Sequence, residues 1–163
     1  MPIVRLMPGE EGRLDAFLAL HPSTSLFLRS NLRRAGLLDD GRPFQARYAA
    51  LMADDGAITG VVAHAWNGNL LVQADPDQAM ALAASLAGDG DRPIAGIIGP
   101  LAAAQAVRSL FPLRELAREG AEDLFDLPLA DLIIPPALQG GSPFLASRGG
   151  GRFPPAGRVA ACL

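Results

Sequence analysis

The chain contains no lysine, and all fourteen of its basic residues are arginine. It has one cysteine, Cys162, which excludes an internal disulfide. Two histidines, His21 and His64, leave no credible zinc set beside that cysteine. Aromatics are scarce and no basic face interleaves with them, so nucleic-acid binding is disfavoured. No apolar run approaches the roughly 18 residues of a membrane helix. The opening Met1-Pro2-Ile3-Val4-Arg5 does not read as a signal peptide. Ser, His and Asp all occur, but without a Gly-x-Ser-x-Gly elbow a hydrolase triad is unsupported. Acidic residues stop at Asp131.

What is present is enough to fold. Of 163 residues half are hydrophobic, which suits one domain with a sizeable core rather than a disordered chain. The net charge is −3. The arginine bias, with abundant Ala, Gly and Pro, points to a GC-rich genome more than to a function. A bacterial-type cytoplasmic protein is the plain expectation, with neither membrane nor metal as a partner.

Val4 to Leu6 reads as a short strand. Leu14, Phe17 and Leu18 recur at helical spacing within Glu10–Leu20, and His21-Pro22 stops that helix. A second helix is expected over Ser25–Ala35, burying Leu28, Leu32 and Ala35 and ending at Gly36. Gln45–Asp54, Ala57–Trp66 and Asn69–Ala74 then form a strand meander. The turns are Asp55-Gly56 and Asn67-Gly68, dipeptides that favour tight hairpins.

Two-residue turns predict that Met52 faces Thr59, Ala50 faces Val61, His64 faces Leu71 and Ala63 faces Val72. One face would then carry Leu51, Ile58, Val62, His64, Trp66 and Leu71. The other would carry Tyr48, Met52, Val61, Ala63, Leu70 and Val72. Both are largely apolar, so helices should cover both.

Asp75-Pro76-Asp77-Gln78 reads as a capped helix start, with Gln78 closing a capping box. Met80, Ala83, Ala84 and Ala87 would line the helix to Gly88. Pro93–Ile98 is expected as a parallel strand reached by a right-handed crossover. A helix with Ala103, Val107 and Leu110 on one face follows Gly99-Pro100 and ends at Pro112. Glu122–Leu127 reads as a further strand, and Leu132–Ile134 as a short apolar segment. The fold class is thus α/β (α+β), a mixed sheet covered by helices, over residues 1–138. From Gln139 to Leu163, Gly and Pro clusters break any periodicity, and this reads as a disordered or non-native tail.

The order helix, helix, three-strand meander, helix, parallel strand, helix, strand resembles the GNAT superfamily of acyl-CoA-dependent N-acetyltransferases. Phe27-Leu28-Arg29-Ser30-Asn31-Leu32, Val61 to Leu70 and Ile97-Ile98-Gly99-Pro100 look like the N-terminal half of a bacterial subgroup about twice as long. In that subgroup the first half is a degenerate GNAT-like unit and the second carries the acetyl-CoA-binding turn. The resemblance implies direct attack of an amine on the acetyl thioester, whose carbonyl a backbone amide of the second half polarises. The family's cofactor signature, Gln or Arg, two variable residues, Gly, a variable residue, then Gly or Ala, is missing at the strand exit before Asp75. Arg148-Gly149-Gly150-Gly151-Arg152 lacks a preceding strand and a following helix. Hence no cofactor-binding or catalytic residue is carried over, and acetyl-CoA is expected only of a full-length relative. A shifted reading frame or truncated gene model would account for the tail. The expected partner is a missing C-terminal lobe, or a second copy paired through an exposed sheet edge. A stand-alone module binding a ligand or protein without catalysis is the alternative.

Four residues could contact a substrate or partner. His64 and Trp66 on one sheet face would suit a pocket with His64 as proton acceptor. A half-buried histidine packed beside a tryptophan is the plainer reading, with no second titratable partner evident. Arg29, with Arg33 one turn on, could hold an anion or a partner's carboxylates, or form a solvated helix face. Asn31, costly in mid-helix, could bond a neighbouring loop. Asn67 and Asn69 are turn residues, and Cys162 lies in the irregular tail.

Overall fold

The computed structural model describes residues 1–88 and 92–111, with Gly120 and Ile133. The expected strand over Glu122–Leu127, the segment around Leu132–Ile134 and the tail from Gln139 lie outside those residues, apart from an exposed Ile133. All regular elements among the described residues fall in the unit Met1–Ala121. They run β1 (Ile3–Arg5), α1 (Glu11–Ala19), α2 (Leu26–Ala35), β2 (Ala46–Met52), β3 (Ile58–Ala65), β4 (Asn69–Gln73), α3 (Pro76–Ala87), β5 (Gly96–Ile98) and α4 (Leu101–Arg108). The sheet order is β1-β2-β3-β4-β5. Neighbours are antiparallel except β4 and β5, which are parallel as the crossover through α3 demands.

Helices cover both faces, and two apolar clusters result. Leu14, Phe17, Leu18, Leu28 and Leu32 of α1 and α2 meet Tyr48, Ala50, Val61, Ala63 and Leu71. Ala79, Leu82, Ala83 and Leu86 of α3, with Ala103 and Val107 of α4, meet Ala49, Leu51, Val62, Leu70 and Val72. The buried stripe of α3 is therefore rotated from the expected one. Met80 is only half-buried, and Ala84 and Ala87 are exposed. A leucine buries more apolar area than an alanine, so Leu82 and Leu86 set the helix's facing. Asn31 likewise takes a buried place on α2 where Ala35 was expected. Because α4 ends at Arg108, Leu110 falls off the buried face and is partly exposed.

Both hairpin loops have three residues instead of two, and this changes the register. Ala53 donates to the Ala57 carbonyl across Asp54-Asp55-Gly56, and Gly56 takes φ +82°. Met52 consequently pairs with Ile58, not Thr59. An irregularity between Leu51 and Met52 then restores the expected pairing of Ala50 with Val61, and turns Ile58 toward the α1/α2 side. At the second loop, Gly68 (φ +84°) donates to the Ala65 carbonyl and no bulge compensates. His64 pairs with Leu70 and Ala63 with Leu71, so every β4 side chain changes face relative to the expectation.

Candidate functional site

The carboxyl ends of β4 and β5 are where an α/β sheet ordinarily opens a ligand crevice. Here β4 ends in Gln73, buried and accepting a 2.6 Å hydrogen bond from the Thr24 hydroxyl. Asp75 adopts the extended conformation of a helix N-cap and Pro76 takes the first helical position, as the sequence predicts. The capping box does not form. Asp75 makes no side-chain cap bond, and the Gln78 carboxamide oxygen is buried without a partner. Gln78 turns toward Gly60 of β3, where the missing Cβ leaves space 3.0 Å from that oxygen.

Two features make this joint a poor cradle for a phosphate. The exposed carboxylates Asp75 and Asp77 flank the first turn, and Pro76 removes one of the amides that an anion would use. The β4 and β5 backbones stay close beyond their last paired residues. Gly99 lies so close to β4 that an added Cβ would stand 2.6 Å from the Val72 carbonyl oxygen and 2.9 Å from the Val72 Cβ.

At the opposite end of the sheet a charged cluster assembles on the α3/α4 side. Arg47 of β2 pairs with His64 of β3, and strand alternation puts both on the face that carries Ala49 and Val62. Asp39, in the loop after α2, accepts from Arg47 Nε and from Arg92 Nη2, each at 2.6 Å. Arg92 Nη1 also donates to the His64 carbonyl oxygen at 2.8 Å. Burial pushes the Asp39 carboxyl up, but the bonds from Arg92 and Arg47 outweigh it and hold it below the ordinary value. The same crowd depresses Arg5 of β1, through burial and the charge of Arg47. A recess of about 210 Å³ adjoins the cluster, between Leu6, Leu37, Asp39 and Arg47.

His64 itself is 2 % exposed, and neither ring nitrogen has a hydrogen-bond partner of good geometry. Burial lowers its pKa, with Arg92 and Arg47 acting the same way; the Pro93 carbonyl and Asp39 oppose them. Such a group is a neutral imidazole at pH 7, more enclosed than the half-buried histidine of the sequence reading.

Trp66 does not share that environment. It lies in the β3–β4 loop and packs with the α1/α2 cluster, its ring 5.0 Å from that of Phe44. Phe44, at φ +71°, is held between Trp66 and the Arg34 guanidinium, which stands 3.8 Å over its ring. Leu71, expected beside His64, also lies on the α1/α2 side.

Arg29 is committed to α1. Its Nε and Nη2 contact the two Asp15 carboxylate oxygens at 2.8 and 3.1 Å, and Arg33 reaches the same carboxylate at 3.5 Å. Arg29 foremost, then Arg33, hold Asp15 below its ordinary value. The pair thus braces the α1–α2 hairpin. Asn31 is buried on the same helix.

The structure keeps Arg29, Asn31, His64 and Trp66 apart as three separate environments. It instead brings together Asp39, Arg47 and Arg92, which the sequence reading passed over. The Arg47–His64 pairing was recoverable from the hairpin register. Nothing local links residues 39 and 92. Among the described residues no cluster of His, Cys, Asp and Glu could hold a metal, and no helix is long and apolar enough to cross a membrane. Cys162 and Arg148–Arg152 lie outside the described residues. No family model, curated protein or solved structure matches this chain.

Proposed function

We propose that this chain supplies the non-catalytic first half of a two-lobed GNAT-type N-acetyltransferase, whose acetyl-CoA site belongs to a second lobe. The mixed five-stranded sheet with helices on both faces is compatible with that scaffold. The observation that carries the reading is the β4–α3 joint. It has the strand, the turn and the helix of a diphosphate site, but offers Asp75, Pro76 and Asp77 in place of free amides, and Gly99 packs tightly against Val72 of β4. Calorimetric titration with acetyl-CoA tests it. No heat of binding is expected at micromolar concentrations, and micromolar affinity would overturn the proposal.

The alternative is a stand-alone module that binds a ligand or a protein. Leu20, Leu26 and Phe27, all exposed around the α1–α2 connection, favour it. Light scattering after size exclusion separates the two readings. A well-folded discrete dimer supports the module, and progressive aggregation supports an orphaned half.

A further inference from the structure

The polar ties of segment 92–95 to the sheet include the bonds of Arg92 to Asp39 and to the His64 carbonyl and the Ala95 amide donating to the Gly68 carbonyl at 2.9 Å, while Ile94 packs against the α3/α4-side cluster. Beyond them β5 adds only three paired residues, Gly96 to Ile98, along β4. The grip of Arg92 is thus built directly around a buried imidazole.

We infer that Asp39, Arg47 and Arg92 form a latch over His64 that holds residues 92–98 on the sheet and opens when the imidazole takes up a proton. An imidazolium needs acceptors for two N–H groups, and here the nearby acceptor is the Pro93 carbonyl. It would face Arg47 from β2 and Arg92 from the segment itself, with Arg5 of β1 behind them. Asp39 from the loop after α2 is the compensating carboxylate, and both its oxygens are already engaged. Leu70 opposite it on β4 is apolar, and no titratable group of α3 or α4 among the described residues acts on it. A charge placed there is desolvated and repelled. The least costly relief is for the ring to turn outward, and Arg92 and the backbone it clasps stand in its way. The latch does not depend on the acyltransferase reading.

Amide hydrogen exchange of the full chain by NMR, corrected for intrinsic rates, tests this at pH 7.5 and pH 5.5. Protection of the Ala95 amide should fall relative to that of Ala63 as pH drops below about 6.5, the titration of a released imidazole, by up to about tenfold per pH unit, and level off only below the lower folded-state titration. In His64→Leu that loss should vanish. Equal protection at both pH values, the same loss in His64→Leu, or a loss shared by Ala63 overturns the inference. Should His64→Leu fail to fold, the His64 C2 proton can be followed in the native chain, assigned against His21→Gln. It must titrate below the ordinary imidazole range, and Ala95 protection must already be falling at pH values above that titration. Titration without loss of Ala95 protection above it, or an ordinary titration near about 6.5, refutes the latch.

Discussion

Gly60, Gly88 and Gly99 illustrate how the surroundings of a residue decide its role. A Cβ on Gly99 would strike the Val72 backbone carbonyl, which cannot move aside, so Gly99→Ala should cost about 2–3 kcal/mol, at the upper end of overpacking. A Cβ on Gly60 meets the Ala74 Cβ at 2.9 Å and the Gln78 oxygen at 3.0 Å. Gln78 can swing away, so Gly60→Ala should cost about 1–2 kcal/mol. Gly88, with helical φ and ψ and nothing within 4 Å, should accept alanine with a gain of about 0.5 kcal/mol. Urea denaturation midpoints at fixed m-value rank the three. His64 makes a pH prediction. Its folded-state pKa lies below the unfolded value near 6.5, so the unfolded chain binds the proton more readily and stability is lost as pH falls below about 6.5. Asp39 and Asp15, carboxylates held charged below their ordinary values by arginine bonds, contribute stability that is lost only on further acidification through the carboxylate range. A thermal midpoint that falls between pH 7 and pH 5.5, and stays level in His64→Leu, is the expected pattern.

Among the elements, the α1–α2 hairpin depends on a serine that does not act as its position suggests. Ser25 precedes α2 but does not cap it. Its buried hydroxyl turns back, 2.7 Å from both the Leu18 and the His21 carbonyl oxygens at the end of α1. Ser25→Ala should therefore destabilise by about 1–3 kcal/mol, the penalty of stranding buried polar groups. Amide exchange at Leu20 and His21 should quicken with it, since their N–H bonds to Phe17 and Leu18 close the same turn. An unchanged denaturation midpoint would show that water replaces the hydroxyl. The hairpins carry a different lesson. Asp55-Gly56 and Asn67-Gly68 identify the turns, and Gly56 and Gly68 take the positive φ that such turns need. Loop length was not legible, because a two-residue and a three-residue loop can share the same Asx-Gly pair. That single residue moves Leu70, Leu71 and Val72 to the opposite faces from those expected.

For the molecule as a whole, β2 and β3 serve both apolar clusters through alternate residues, Tyr48 and Ala50 on one side, Ala49 and Leu51 on the other. Loss of packing on either face thus acts on the same strands. Leu14→Ala and Leu82→Ala, both fully buried but on opposite faces, should each cost about 2–5 kcal/mol. Being distant, they should add in the double variant within about 0.5 kcal/mol and shift one cooperative transition. Two separate transitions in denaturant would show that the faces unfold independently.

Element order and type followed from local chemistry. Leu14, Phe17 and Leu18 spaced for a helix, Pro76 opening α3, Gly36 ending α2 and the apolar runs of the meander all act within a few residues. The absence of a glycine-rich turn before α3 was equally plain in the sequence. Pairing between distant segments decided the rest. The approach of Gly99 to Val72 and the meeting of Asp39, Arg47 and Arg92 around His64 each join residues far apart in the chain. No local preference encodes such contacts, because the energy that selects them arises only once the sheet and its covering helices exclude water together.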